Sequence, residues 1–222
     1  MDSRRAESFS DGVFAVAITI LVFNLLPIAD ETAHLKPGHT LNGDLLHAWP
    51  AYFAYVVSFL TIGIMWLNHH TMLAQVTKVN RPVLVLNLLL LMGIVALPFP
   101  TALVADHLIG GAALGGQDTV AVVTYGLLMI AISVAFGGMW LYMAAHAREL
   151  GARRPGGAPR ASTIRFTIGN LGYVAGTLIA LVSPIAALII FGLLAVYYMF
   201  EHLGVPDDDQ KDDGGAEATE IL

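Results

Sequence analysis

Long apolar segments alternate with shorter polar segments along most of the chain. Six of the apolar segments are long enough to predict helices that cross a hydrocarbon core of about 30 Å. Their predicted bounds are residues 9–27, 49–75, 83–104, 120–144, 166–182 and 185–203. Because a bilayer core has no water to satisfy free backbone groups, the pattern predicts an all-α membrane protein. The six predicted transmembrane helices form one domain over residues 1–204.

Proline and turn residues predict where several of these helices begin, bend or end. Pro82 follows a short basic turn and suits the first turn of the third helix. Pro98 and Pro100 lie near the other end of that helix and should bend or end it, because proline lacks a backbone N–H. Ser183 and Pro184 predict a tight turn between the last two helices.

The composition agrees with this class of protein and excludes others. The chain is 56% hydrophobic and 13% charged, which is too apolar for a soluble domain. It has no cysteine, which excludes disulfides, cysteine-ligated metals and thiol catalysis. The net charge of −6 comes from an acidic low-complexity segment, residues 205–222, which predicts a disordered tail. No clustered Lys and Arg surface predicts a nucleic-acid partner.

Basic residues fall almost entirely on one side of the predicted topology. That side carries Arg4, Arg5, Lys78, Arg81 and the five arginines of residues 148–165. Lys36 is the single basic residue predicted on the other side. Because Lys and Arg are enriched in cytoplasmic loops, both termini are predicted to be cytoplasmic in a multi-pass protein of the cell membrane.

The first predicted helix joins a charged cluster to an apolar segment. At about 100° per residue, one narrow stripe of this helix holds Arg5, Phe9, Gly12, Val16, Ile20, Phe23 and Pro27. Thr19 lies about 60° to one side of the stripe, and Ser10 and Asp11 project to other faces. These residues by themselves favour a seam against a neighbouring helix, with Asp11 as an N-cap near the helix start.

The predicted topology also brings polar residues from three helices to one depth, near the cytoplasmic side. They are Arg5, Ser10, Asp11, Trp66, His69, His70, Arg81 and Asn87. Because unpaired polar groups are costly inside a membrane, we predict a hydrogen-bonded clasp among them. A metal site is not favoured, since the adjacent His69 and His70 diverge by about 100° on a helix.

Three motifs carry a family resemblance. The pattern Arg5-x-x-x-Phe9-Ser10-Asp11, with Trp66-x-x-His69-His70 and Asn87 followed by LLLLMGIVALPFP, resembles the lysosomal-type potassium channels (the transmembrane protein 175 family). Within that family, the likeness is specifically to the six-span bacterial members. The resemblance covers about the first half of the chain, while the last three predicted helices match only in number and hydrophobicity.

The resemblance implies a homotetramer in which the first helix of each subunit lines a central pore. It assigns the constriction to Val16, five residues after the signature acid, with further apolar layers at Ile20 and Phe23. A ring of Thr19 would contribute to potassium preference, and the signature residues would stabilise the pore helices from behind. The expected function is a weakly to moderately K⁺-selective channel that needs no cofactor beyond the permeating K⁺ ion.

Two alternatives are weighed against a channel. A proton leak or proton-coupled carrier would use Asp11 and His69 or His70 as a relay. An enzyme is not predicted, because no nucleophile triad, zinc motif or glycine-rich phosphate loop occurs in a plausible context. The segment Val123–Gly126, VTYG, superficially resembles a carbonyl selectivity filter but lies inside the fourth predicted helix, and we expect it to be core.

Overall fold

The computed structural model describes residues 2–33, 40–109, 116–152 and 160–201, and these form helices. The helices are α1 (Ser3–Ile20), a 3₁₀ segment (Leu21–Leu25), α2 (Leu26–Ala33), α3 (Leu41–His47), α4 (Trp49–Ala74), α5 (Arg81–Ala96), α6 (Pro98–Ile109), α7 (Gln117–Ala145), α8 (Arg160–Ala180) and α9 (Pro184–Glu201). Within the described ranges, strand pairing is limited to one isolated bridge between Asp2 and Lys78. The all-α prediction is therefore confirmed, whereas Lys36 and the acidic tail lie outside the described residues.

Four helical stretches within the described ranges are long and apolar enough to cross a membrane. They are Ser3–Asp30, Trp49–Ala74, Arg81–His107 and Gln117–Ala145. The fifth and sixth predicted helices correspond to α8 and α9, and the apolar part of α9, Pro184–Tyr198, is shorter. Membrane-spanning helices are thus confirmed, while the count of six spans stays a prediction.

The first helix begins earlier than expected. Asp2 caps α1 by accepting a hydrogen bond from the Arg4 backbone N–H, which puts the start of the helix at Ser3. Asp11 therefore lies two turns inside α1, and its interpretation as an N-cap is wrong. A short polar residue caps a helix only where the first N–H groups lack partners, and those groups lie around Asp2.

Prolines shape two of the long helices. The third predicted helix breaks at Leu97 into α5 and α6, as expected from Pro98 and Pro100. A second break was not predicted, and it forms the 3₁₀ segment of the first span. Pro27 has no N–H to donate to the Phe23 carbonyl, which instead accepts from the N–H of Leu26.

Within the core, α4 packs against α1, α6 and α9, and α7 packs against α5, α6 and α8. In the N-terminal half of α4, Ser58 Oγ lies 2.8 Å from Thr101 Oγ1 and 3.3 Å from the Tyr125 hydroxyl. Tyr125 belongs to the filter-like segment and is 3% exposed within α7, so its assignment to the core is confirmed.

Backbone hydrogen bonds join α1 to the rest of the bundle at the end where it begins. The N–H of Ser3 donates to the Thr77 carbonyl at 3.2 Å, and its hydroxyl donates to the Val76 carbonyl at 2.9 Å. The N–H groups of Thr77 and Lys78 in turn donate to the Leu150 carbonyl. The start of α1, the α4–α5 turn and the segment after α7 are therefore one connected unit.

Candidate functional site

The first helix presents three distinct faces. Its buried face packs against α4 and α5 and comprises Ser3, Ala6, Ser10, Phe14, Ala17 and, in the 3₁₀ segment, Leu21. These positions recur every three or four residues, as expected for the inner stripe of an α-helix. A polar flank and an exposed apolar stripe occupy the remaining circumference.

The buried face contains a hydrogen-bonded chain through three helices. Asn87 of α5 donates from Nδ2 to Ser10 Oγ at 3.0 Å, and its Oδ1 lies 2.7 Å from His69 Nε2 of α4. Because an amide oxygen only accepts, the geometry assigns the imidazole proton to Nε2. Ser10 donates onward to the Ala6 carbonyl at 2.8 Å, and the Phe14 ring lies 5.4 Å from the imidazole. All of these residues are buried.

The polar flank forms two parallel contacts between α1 and α4. Trp66 donates from Nε1 to Asp11 Oδ1 at 2.8 Å, and His70 Nδ1 lies 2.7 Å from Glu7 Oε1. Glu7 and Asp11 are four residues apart, as are Trp66 and His70, so each pair shares one side of its helix. The two sides face each other in antiparallel order.

Glu7 is the residue of this clasp that the sequence prediction left out. The sequence did contain the signal for this contact. Two acidic residues four positions apart on the first helix match an indole and an imidazole four positions apart on the second. Antiparallel helices align such pairs directly.

The two adjacent histidines contact different partners, Asn87 for His69 and Glu7 for His70. No group of three potential metal ligands occurs within the part of the chain that the structure describes.

Three residues of the signature and the predicted clasp lie elsewhere. Arg5 and Phe9 are exposed, and they share the side of α1 that faces away from α4 and α5. Arg81 is exposed at the first turn of α5. The hydrogen bonds and ion pairs described for the clasp join Ser10, Asp11 and Glu7 to α4 and α5, and none of them reaches Arg5 or Arg81.

The third face of α1 is the predicted stripe. Val16, Ile20 and Phe23 are 53%, 36% and 59% exposed, although they lie in the most apolar part of the span. Thr19 beside them is also exposed, and its hydroxyl donates to the Ala15 and Val16 carbonyls at 3.0 and 2.9 Å. The single chain thus has an exposed apolar surface along its first span, and this surface includes one hydroxyl group.

Comparison with known proteins gives concordant matches. A family model described as endosomal/lysosomal potassium channel TMEM175 matches residues 5–98. A potassium channel from Streptomyces collinus is 43% identical over 206 residues, which is 92% of this chain and 95% of that protein. The endosomal/lysosomal proton channel TMEM175 of Gallus gallus is 36% identical over 112 residues, which is 48% of this chain and 22% of that protein.

The fold has a solved counterpart as well. The crystal structure of a lysosomal potassium-selective channel TMEM175 homolog from Chamaesiphon minutus matches with a TM-score of 0.73 and 30% identity, and the match covers 90% of this chain and 97% of that one. The matched segment of the family model holds all of the clasp residues and the whole exposed stripe.

Proposed function

The chain belongs to the TMEM175 family of channels, not to a family of enzymes, and from that premise we propose that it forms a potassium-permeable pore. The exposed apolar stripe of α1 carries this proposal. The polar groups of this span face α4 and α5, whereas the side chains of Val16, Ile20 and Phe23 are exposed on the surface of the single chain. In a membrane, this exposed surface must contact either lipid or other copies of the chain. In the proposed pore, the stripe faces other copies across a central axis.

The proposed assembly is a homotetramer with one α1 from each subunit around the axis. The RxxxFSD signature occurs once in the chain, so four subunits would supply four pore helices. Rings of Val16, Ile20 and Phe23 would then form apolar layers that restrict permeation by excluding water. The tetramer also explains why the polar clasp lies on the opposite side of α1, where it fixes the helix to its own subunit.

Thr19 supports a preference for K⁺ in this pore. Its hydroxyl hydrogen is directed to the backbone carbonyls of Ala15 and Val16, so the lone pairs of the oxygen remain free. A ring of such oxygens can replace part of the hydration shell of a cation. We propose weak to moderate selectivity for K⁺ over Na⁺, since one hydroxyl ring offers far fewer oxygens than a filter of stacked carbonyls.

The proposed orientation follows the distribution of basic residues. We propose a channel of the plasma membrane with six membrane-spanning helices, so that both termini lie on the same side. Arg4, Arg5, Lys78 and Arg81 lie on that side, and the enrichment of basic residues in cytoplasmic loops makes it the cytoplasmic side. The clasp would then lie at the cytoplasmic end of the pore, and the Phe23 ring would lie towards the outside.

A proton leak or proton-coupled carrier is the second candidate. Relatives of this chain are named proton channels, and Asp11 and His70 of the clasp are titratable groups near the start of the pore helix. Asp11 of α1 contacts Trp66 of α4, however, and His70 of α4 contacts Glu7 of α1, so both groups join the two helices and neither lies on the stripe. The contacts of the clasp therefore favour a structural role for these residues.

Reconstitution into liposomes separates the two functions. We expect a K⁺ gradient to drive a current that reverses near the K⁺ equilibrium potential and does not depend on a pH gradient. A saturable flux that requires a pH gradient would contradict the channel. An oligomer whose protein mass differs from four times 23.7 kDa would contradict the tetramer.

Cysteine accessibility tests the pore wall directly, because the chain has no native cysteine. Val16→Cys, Ile20→Cys and Phe23→Cys should react with a membrane-impermeant thiol reagent, and K⁺ should slow the reaction. Met92→Cys is the matched control, since Met92 is 66% exposed on the apolar surface of α5. Equal and slow modification at all four positions would show that the stripe faces lipid.

A further inference from the structure

Asn24 is a polar residue in the apolar outer half of the first span. It lies in the 3₁₀ segment, directly after Phe23 of the proposed pore wall. Its Nδ2 donates to the carbonyl oxygen of Pro98 at 3.0 Å, in a partly buried contact. Pro98 begins α6 at the break in the third span, so this bond connects irregular turns of two helices.

Both irregular turns have the same origin. Pro27 leaves the Phe23 carbonyl without its α-helical donor, and this carbonyl accepts from the N–H of Leu26, three residues on. In the third span, Pro98 has the same effect, and the N–H of Leu97 donates to the Ile94 carbonyl at 3.2 Å. The two tightened turns lie side by side, and Asn24 is the hydrogen-bonding side chain between them.

The 3₁₀ turn changes where Phe23 points. In an α-helix, Phe23 would lie about 60° around the axis from Ile20. A 3₁₀ turn advances about 120° per residue, so three residues complete one full turn and Phe23 falls in line with Ile20. The two exposed side chains therefore form one row, about 120° around the axis from Leu21, which is fully buried.

We propose that Asn24 is a positioning residue for the outer end of the pore, and this inference rests on the proposed channel function. Its amide fixes the 3₁₀ turn to the start of α6 and so holds the Phe23 ring in line with Ile20. Rotation of the outer half of the helix would break the bond and leave an amide unpaired in the hydrocarbon region, which is strongly unfavourable. Pro27 allows the tight turn, and Asn24 selects its direction.

The test measures where residue 23 points, independently of ion flux. A nitroxide label on full-length Phe23→Cys protein in liposomes is exposed to oxygen, which partitions into lipid, and to a water-soluble nickel chelate. In the parent protein, we expect access to the nickel chelate. Asn24→Leu should lower the ratio of nickel to oxygen access at least threefold, while Asn24→Gln, which keeps the amide, should stay within twofold of the parent.

Val22→Leu is the matched control, because Val22 lies in the same 3₁₀ segment, is 47% exposed and should leave the ratio unchanged within twofold. If Asn24→Leu does not fold, Asn24→Ser serves in its place, since a hydroxymethyl group is too short to reach Pro98. An unchanged ratio in these variants would overturn the role of Asn24 while leaving the pore in place. A parent label that only oxygen reaches would overturn the proposed pore itself.

Discussion

Replacing Asn87 by leucine should weaken the bundle because Asn87 is the middle member of the buried chain between α1, α4 and α5. The substitution removes the bond from Nδ2 to Ser10 and the bond between Oδ1 and His69. Ser10 keeps a partner, since its hydroxyl also donates to the Ala6 carbonyl. His69 does not, because its Nδ1 is buried and has no partner among the described residues.

The expected loss follows from these contacts. Each lost hydrogen bond contributes about 0.5–1.5 kcal/mol, towards the lower end between membrane helices. Leaving the buried imidazole of His69 without a hydrogen-bond partner adds a desolvation penalty of about 1–3 kcal/mol. We therefore expect Asn87→Leu to lower the free energy of unfolding by about 2–4 kcal/mol, with most of the loss at His69.

A double-mutant cycle isolates the part of the lost unfolding free energy that is due to His69. Unfolding of the detergent-solubilised protein by rising fractions of SDS, followed by circular dichroism, gives the free energies. The double variant His69→Leu/Asn87→Leu should be more stable than Asn87→Leu alone, because no polar group is then left unpaired. Asn42→Leu is the control, since Asn42 is exposed on α3, and its effect should stay within about 0.5 kcal/mol. Additive losses in the double variant would refute this reasoning.

Three further substitutions test other parts of the molecule. Ile20→Asn should hydrate the constriction and raise single-channel K⁺ conductance several-fold; unchanged currents would mean that Ile20 faces lipid or another helix. Trp66→Phe keeps an aromatic ring but removes the hydrogen-bond donor to Asp11, and should lower the free energy of unfolding by about 1–3 kcal/mol. The ratio of K⁺ to Na⁺ permeability should not change, and a shifted ratio would contradict a structural role for this contact. Gly93→Ala should destabilise the bundle by about 1–3 kcal/mol in the same SDS titration, because a β-carbon there would lie 2.6 Å from a side chain of α7. Gly63→Ala, which meets nothing within 4 Å, should be near neutral, and equal effects of the two glycine variants would show that this approach of α5 and α7 is not tight.

The helices and the stripe were predictable because they depend on local information. Apolar length predicts a membrane helix, and the period of 3.6 residues predicts that Val16 and Phe23 share a side. Pro98 marked the break in the third span for the same reason, since a missing N–H disrupts any helix that contains it. These features need no knowledge of which helices are neighbours.

The errors arose where the outcome depended on pairing between helices or on a competing local rule. Glu7 was left out of the clasp because its partner, His70, lies on another helix and only the antiparallel alignment brings them together. Arg5 was included because the predicted topology put it at the depth of the other polar residues, yet it is exposed on the side of α1 that faces away from α4. Asp11 was assigned as a cap because the helix start was set at the apolar boundary, whereas capping by Asp2 extends α1 into the charged segment.

The contacts of the first span separate into two halves with different consequences for the channel. Hydrogen bonds that Asp11 accepts from Trp66 and Ser10 accepts from Asn87 fix the N-terminal half to α4 and α5, so substitutions there should change stability before they change permeation. The half that follows Ile20 carries Phe23, and the hydrogen bond from Asn24 to Pro98 joins it to α6. Under the role proposed for Asn24, a change at this residue should alter permeation at a small cost in stability.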